Sequence, residues 1–422
     1  MWNLLLSSSL FRMLSNVKNK TLLYFYRIAQ KKHIQVIWSR GKVNVVFFAF
    51  NLSMWRYQGL YDIMKDDPRF CIYIIVYPVP SFSKEENEKN YQDLKQYFTG
   101  KNMSYIRMED LPKKIGLKSL NPDLLFYAQQ YDSLLPKNID ASYFYDKLVC
   151  YIPYGLNTLN HNWNYNTRFQ NFGWHMYYAN NLLREDAINM TYCKGDNVIV
   201  VGDPHGDEFV TKSEIDPWIN ADGKKRIIWA PHFRIISNDT FNRPSFLWTY
   251  NVMLDLAEKY KDYIHIAFKP HPRLFYELCN CPDWGESKAK KYYQKWQEMP
   301  NTQFENGEYI ELFKTSDALI HGCGSFTAEY QYTKKPCMYL TREEEAIKDE
   351  LCPFGLKCFN NHYIGTCKDD IEAFIKNVVI DGFDLKIKDR ETFYHDYLQP
   401  INGKTSSENI YNNIVNELFP NS

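Results

Sequence analysis

Two series of short apolar runs constrain this chain more than any other feature. The first series is Val43 to Phe50 (VNVVFFAF), Cys71 to Tyr77, Leu124 to Tyr127, Leu148 to Ile152 and Asn197 to Val201. The runs are rich in β-branched and aromatic residues and nearly continuous, the pattern of parallel strands buried on both faces. A helical stretch from Trp55 to Lys65 joins the first two, and the order strand, helix, strand predicts a βαβ unit. Around Gly202 to Lys225 the pattern breaks into Gly, Pro, Asp and Lys, as an inter-domain linker does. A second series follows, with strands at Arg226 to Ala230, Ile264 to Phe268, Ala318 to Ile320 and Cys337 to Leu340. Helices over Ser245 to Tyr260, Glu308 to Thr315 and Phe326 to Tyr332 intervene. Ile371 to Val379, Arg390 to Leu398 and Ser407 to Leu418 read as closing helices, the last two joined by an Asn402-Gly403 turn.

The expected fold is α/β, two Rossmann-like domains facing a cleft in the GT-B manner, with C-terminal helices and a basic helical leader. The expected boundaries are 1–42 for the leader, 43–210 for an acceptor domain, 211–385 for a donor domain and 386–422 for helices packing back across the cleft. A chain of 422 residues has room for two such cores. In this arrangement an activated nucleotide sits at the carboxyl ends of the second domain's strands. The chain has no Asp-x-Asp, no Walker A sequence and no G-x-G-x-x-G after its first strand. These absences argue against metal-dependent GT-A transferases, NTPases and dehydrogenases.

Fifty basic residues balance fifty acidic ones, yet the charge is uneven. From Met1 to Lys42 there are eight bases (Arg12, Lys18, Lys20, Arg27, Lys31, Lys32, Arg40, Lys42), and no acid appears before Asp62. Apolar residues recur among them at near-helical spacing. Two readings stay open, a helix lying in an anionic membrane surface and a helix docked on the protein's own body. The first places the protein in the cytoplasm, peripheral on the inner face of the cell membrane. The ten cysteines show no CxxC and no secretory context, which favours reduced thiols, with no metal site expected. The aromatic residues lack a basic stripe or an RNP-like motif, so no nucleic-acid partner is expected.

Three segments carry the candidate chemistry. In Ser316 to Tyr330 a strand runs into Gly322-Cys323-Gly324-Ser325, where glycines admit a ligand to the backbone and Ser325 is expected to cap the next helix against a diphosphate. Glu329, one turn on, is expected at the ribose. Ala230-Pro231-His232-Phe233-Arg234 and Lys269-Pro270-His271-Pro272-Arg273 each end a strand, where imidazole and guanidinium would neutralise a leaving group. On the acceptor side stand Tyr154 and Gly155, then His161 and His175 as candidate bases.

Taken in order, these segments resemble the CDP-glycerol glycerophosphotransferases of teichoic-acid and capsule synthesis. That family's Ala-Pro-Thr-Trp-Arg, Lys-x-His-Pro and Ser-Asp-x-Leu-Ile-Thr-Asp-Tyr-Ser-Ser look like Ala230 to Arg234, Lys269 to Pro272 and Ser316 to Ser325. Its Lys-Lys-Pro looks like Lys334-Lys335-Pro336. Gly202 to Asp207 looks like Gly-Tyr-Pro-x-x-Asp, and Asn402 to Ser406 like Asp-Gly-x-Ala-Ser. The resemblance runs from about Val43 to about Ile414. It implies a diphosphate site of His271, Ser325, Gly322, Gly324, Lys269 and Arg234, with Glu329 at the ribose. Where the family has Trp-His-Gly, with the expected base, this chain has Pro153-Tyr154-Gly155. His161, His175 or His232 would then be the base. The implied activity is transfer of a phospho-alditol from a CDP-activated donor to a glycan or lipid-linked glycan, with CMP released and no cofactor. A GT-B glycosyltransferase using a nucleotide sugar, and a non-catalytic nucleotide- or glycan-binding paralogue, are the alternatives.

Overall fold

The structure is a computed structural model that describes residues 2–160, 165–211, 215–235, 245–307 and 309–420, with backbone alone at 2–16 and 132. The chain forms two compact units. Unit 1 comprises residues 1–155, 161–207 and 400–422, and unit 2 comprises 156–160 and 208–399.

Unit 1 holds a seven-stranded sheet of β1 (Val43–Ala49), β2 (Phe70–Val76), β3 (Ile106–Arg107), β4 (Leu124–Tyr127), β5 (Leu148–Tyr151), β6 (His175–Tyr178) and β7 (Val198–Val200), in the order β3-β2-β1-β4-β5-β6-β7. Every pairing is parallel. Strands so ordered need both faces covered, which is why β4, β5 and β6 are buried at every position. The Ser406–Leu418 helix supplies part of that cover: Ile410, Ile414 and Leu418, spaced four apart, are wholly buried in the same core as Val45, Phe47 and Leu60.

The basic leader is one helix, Trp2–Arg40. Its later turns are docked on unit 1. Tyr26 packs on Tyr145 and Phe172 with ring centroids 5.5 and 5.1 Å away, and buried Gln30 donates to the carbonyls of Tyr145 and Phe172 at 3.0 and 2.9 Å. Arg27 donates to Gly173 O at 2.8 Å, and His33 and Arg40 meet the buried carboxylate of Asp123. Burial alone would push Asp123 up. Hydrogen bonds from His33, the Asn44 amide and Arg40 hold it below the ordinary carboxylate range instead.

Unit 2 holds a six-stranded parallel sheet of β8 (Lys225–Ala230), β9 (Ile264–Phe268), β10 (Thr302–Phe304), β11 (Ala318–His321), β12 (Cys337–Leu340) and β13 (Tyr363–Gly365), in the order β10-β9-β8-β11-β12-β13. Side chains alternate between two cores. Ile227, Trp229, Ile266 and Phe268 face one, and Ile228, Ala230, Ala267 and Leu319 face the other. The closing stretch divides between the units: the Ile387–Tyr397 helix belongs to unit 2 and the Ser406–Leu418 helix to unit 1.

The sequence did not reveal β3, β6, β10 or β13. Three of these are edge strands of two or three residues, and β6 has four buried residues with no alternation to mark it. The helix expected over Ile371 to Val379 is α-helical from Lys368 to Ala373 and a π-helix from Phe374 to Ile380.

Candidate functional site

In each sheet the strand order reverses at one point, between β1 and β4 in unit 1 and between β8 and β11 in unit 2. Connections leave such neighbours toward opposite faces, so a crevice opens at their carboxyl ends. The register brings the ends of three adjacent unit-2 strands level: Ala230 pairs with His321, and Trp229 with Phe268. The three segments singled out in the sequence follow these ends, so the structure brings them together.

The two histidine segments have the same local geometry. Each follows its strand into a turn in which the imidazole Nδ1 accepts the backbone N–H of an arginine two residues on: Arg234 to His232 at 3.3 Å, and Arg273 to His271 at 3.2 Å. An Nδ1 that accepts leaves the proton on Nε2, so each ring presents an Nε2–H donor. The turns are tied together, since His271 N donates to Pro231 O at 3.1 Å and the imidazole centroids lie 5.4 Å apart. Burial first, then the charges of Arg273 and Lys269, lower the His271 pKa to about 4, so the ring is neutral at pH 7.

Phe233 is the hub of this cluster. Its ring lies 4.3 Å from that of His232 and 4.5 Å from that of His271, with the guanidinium groups of Arg273 and Arg234 4.8 and 5.8 Å from its centroid. Sequence reasoning gave Phe233 no role. The repeated His-x-Arg spacing was the available signal.

The third segment departs from expectation in detail. Ser325 has helical dihedrals, φ −64° and ψ −39°, and makes no capping bond; its Oγ instead lies 3.6 Å from the Cys323 thiol. The helix it was expected to cap runs only from Phe326 to Glu329 and passes into a 3-10 turn over Tyr330–Thr333. Gly322 N–H donates to Ala230 O at 3.4 Å, and a Cβ at Gly322 would stand 2.7 Å from the Oγ of Ser245. Its glycine is required by space, while Cys323 and Gly324 are half-buried and Ser325 is exposed. His321, wholly buried, accepts the Cys323 N–H at Nδ1 and shapes the turn from beneath. Glu329 is buried and accepts the Tyr309 hydroxyl at 2.6 Å. Lys269 donates to Gly307 O at 2.6 Å, beside the ring of Tyr309.

Unit 1 treats its candidates differently. Tyr154 N donates to Ala128 O at 3.0 Å, and the Tyr154 carbonyl accepts from Arg56 Nε at 2.8 Å, which holds the chain beyond β5 against the end of β4. Burial, then Tyr131, pushes the Tyr154 phenol well above its ordinary value, the wrong direction for a base. A Cβ at Gly155 would meet open space. His161 lies outside the described residues. His175 lies within the sheet. It opens β6 but pairs with Cys150, the third residue of β5, while Tyr154 and Gly155 follow that strand's end. There its Nε2 meets Glu417 at 2.8 Å, and its ring stacks on Trp174 at 3.8 Å. A small depression with room for little more than a water molecule lies at the strand-order reversal, lined by Phe48 to Asn51, Met54, Tyr77 and Tyr127 to Gln129. The spread of these residues over three strand ends hid them from sequence reasoning.

No family model and no curated protein matches the chain. Solved structures do. The S. aureus MnaA-UDP co-structure has a TM-score of 0.60 at 12% identity, covering 89% of this chain and 97% of that one. A variant of the wall teichoic acid polymerase TagF has 0.55 at 14%, covering 97% and 98%. UDP-GlcNAc 2-epimerase from Neisseria meningitidis, bound to UDP-GlcNAc, has 0.53 at 14%, covering 90% and 100%. At such identities the likeness is one of fold, and with the two parallel sheets above it identifies the architecture: the chain has a GT-B-like α/β fold.

Proposed function

We propose that the chain is a transferase that moves a phospho-alditol, such as glycerol phosphate, from a CDP-activated donor to a hydroxyl of a cell-surface glycan. The observation that carries this reading is the paired His-x-Arg turns beside the Gly322 to Ser325 loop, at the strand-order reversal of unit 2. Two Nε2–H donors and the cations Arg234 and Arg273 suit a diphosphate whose bridging bond is breaking. The acceptor oxygen attacks the β-phosphorus, the bond from that phosphorus to the bridging oxygen breaks, CMP leaves with the electron pair, and the hydroxyl proton passes to a base or to water. His271 and His232 act here as hydrogen-bond donors, since their Nδ1 atoms are already occupied. Phosphoryl transfer rests mainly on positioning and charge stabilisation, so a missing Trp-His-Gly base does not exclude it.

Full-length protein incubated with CDP-glycerol and a capsule or teichoic-acid acceptor should release CMP. The His271→Ala variant should lose roughly a hundredfold in that rate with its melting temperature retained. An unchanged rate would remove His271 from the site. A second reading, a nucleotide-sugar glycosyltransferase, draws on the UDP-bound proteins of like fold. Release of UDP from a sugar donor, with none of CMP, would select it. Binding of CDP compounds measured by calorimetry, without turnover of any donor, would select a non-catalytic binding protein.

A further inference from the structure

Beneath the Gly322 to Ser325 loop two buried histidines stand side by side. His321 ends β11, and His362 lies between the Pro353–Asn360 helix and β13. They are 0 and 1% exposed, and their ring centroids are 5.0 Å apart. Burial first holds the His321 pKa well below its ordinary value and lowers that of His362 to about 4, so both rings are neutral at pH 7. Each neutral ring carries its proton on one nitrogen only. For His362 the choice is fixed: Nδ1 faces the Cys358 carbonyl oxygen at 2.9 Å, a group that only accepts, so the proton is on Nδ1 and Nε2 keeps a lone pair. For His321 the contacts admit both tautomers, because Nδ1 lies 3.2 Å from the Cys323 amide nitrogen and 3.1 Å from the Cys323 oxygen. The Cys323 oxygen already has a donor in Thr327 Oγ1 at 3.3 Å. At the neighbouring strand ends, His232 and His271 accept the N–H two residues on in the same way. The Nε2 atoms of His321 and His362 are both buried, and neither meets a hydrogen-bonding partner among the described residues.

We propose that His362 is a positioning residue that selects the tautomer of His321 and, through it, the shape of the loop above. The lone pair on His362 Nε2 calls for a donor, so it favours the Nε2–H form of His321, by a hydrogen bond made directly or through one water. With its proton on Nε2, His321 offers a bare Nδ1 to the Cys323 N–H. That amide is then turned inward, and the half-buried Gly324 and exposed Ser325 are left on the open side of the turn for a diphosphate. The opposite form leaves two lone pairs and no proton at the buried Nε2 atoms, and takes from the Cys323 N–H its acceptor. Mispairing of this kind inside a core costs as much as a lost buried hydrogen bond. The inference rests on the reading of Gly322 to Ser325 as the diphosphate loop and adds the residue that sets that loop from below.

Full-length protein carrying isotope-labelled histidine reports the tautomers at pH 7 through long-range proton–nitrogen correlations of the rings, assigned with His321→Gln and His362→Gln. His321 should be the Nε2–H form and His362 the Nδ1–H form. His362→Phe keeps the packing and removes the lone pair. In that variant His321 should lose its single form, and CDP binding measured by calorimetry should weaken by about tenfold. His362→Gln, whose amide oxygen again accepts, should restore both. Wild-type His321 in the Nδ1–H form overturns the proposal, whether or not the variants fold. So does a His362→Phe variant that keeps the His321 form, or an equal loss of affinity in the Phe and Gln variants, since His362 then acts by packing alone. Wild-type protein that binds no CDP overturns the diphosphate reading instead, and the His321 tautomer with and without His362 still decides this one.

Discussion

At Gly322 a single methyl group has an unusual amount to disturb, because the nearest atom to its Cβ position would be the buried Ser245 Oγ at 2.7 Å. Gly322→Ala should cost about 1–2 kcal/mol through overpacking, measured by urea unfolding. Adding Ser245→Ala removes the atom in the way, and the double variant should recover most of that loss; additive losses would place the strain elsewhere. The candidate site was legible at this scale to the extent that chemistry lies within one segment. His232, Arg234, His271 and the glycine loop declared themselves as residue types at strand ends. Phe233 did not, because its contact with His271 exists only once β8 and β9 are neighbours. Ser325 misled, since a serine before a helix reads as a cap whether or not its backbone turns that way.

The Ser406–Leu418 helix has a well-satisfied start. Thr405 and Glu408 form a capping box, and Asp207 accepts from the amides of Ser406 and Ser407 at 2.7 and 3.1 Å. Two motifs far apart in the sequence, Gly202 to Asp207 and Asn402 to Ser406, thus meet in one joint of unit 1, with Asn402 and Gly403 at positive φ to make the turn. Asp207→Ala should cost about 1 kcal/mol and speed amide hydrogen exchange in the first turn of that helix, with unit 2 unaffected. The helix itself was legible from Ile410, Ile414 and Leu418. Its destination was not, because helical periodicity says that a face is covered and is silent on what covers it. β6 failed for a related reason: a short strand buried on both faces carries no alternation, so His175 read as a loop residue near an acceptor rather than as part of the sheet.

Over the whole molecule, alternating strands and helices made the two parallel sheets readable, while the edge strands and the split of the closing helices between units depended on tertiary pairing. Stability should share one pH signature. Burial lowers the pKa of His265, His271 and His362 to about 4, and holds that of His321 well below its ordinary value. A histidine held neutral in the folded state binds its proton first when unfolded, so the stability it permits is present above about pH 6.5 and is lost as pH falls through the folded value. Asp186, raised to about 6 by burial and then Glu185, and Asp207, raised by burial, work the other way, while the lowered carboxylates of Asp67, Asp123 and Glu417 act with the histidines. Urea midpoints should therefore fall from about pH 7 toward pH 4; a flat profile would mean that these imidazoles are solvated. The division of the chain carries a consequence of another kind. Unit 2 is built from one nearly continuous stretch, but unit 1 has its core closed by residues 400–422, which the ribosome makes after all of unit 2. The later unit in sequence is thus the earlier one to be complete, and the nascent first sheet waits with a groove the width of a helix still open, at the stage when a chaperone would find it.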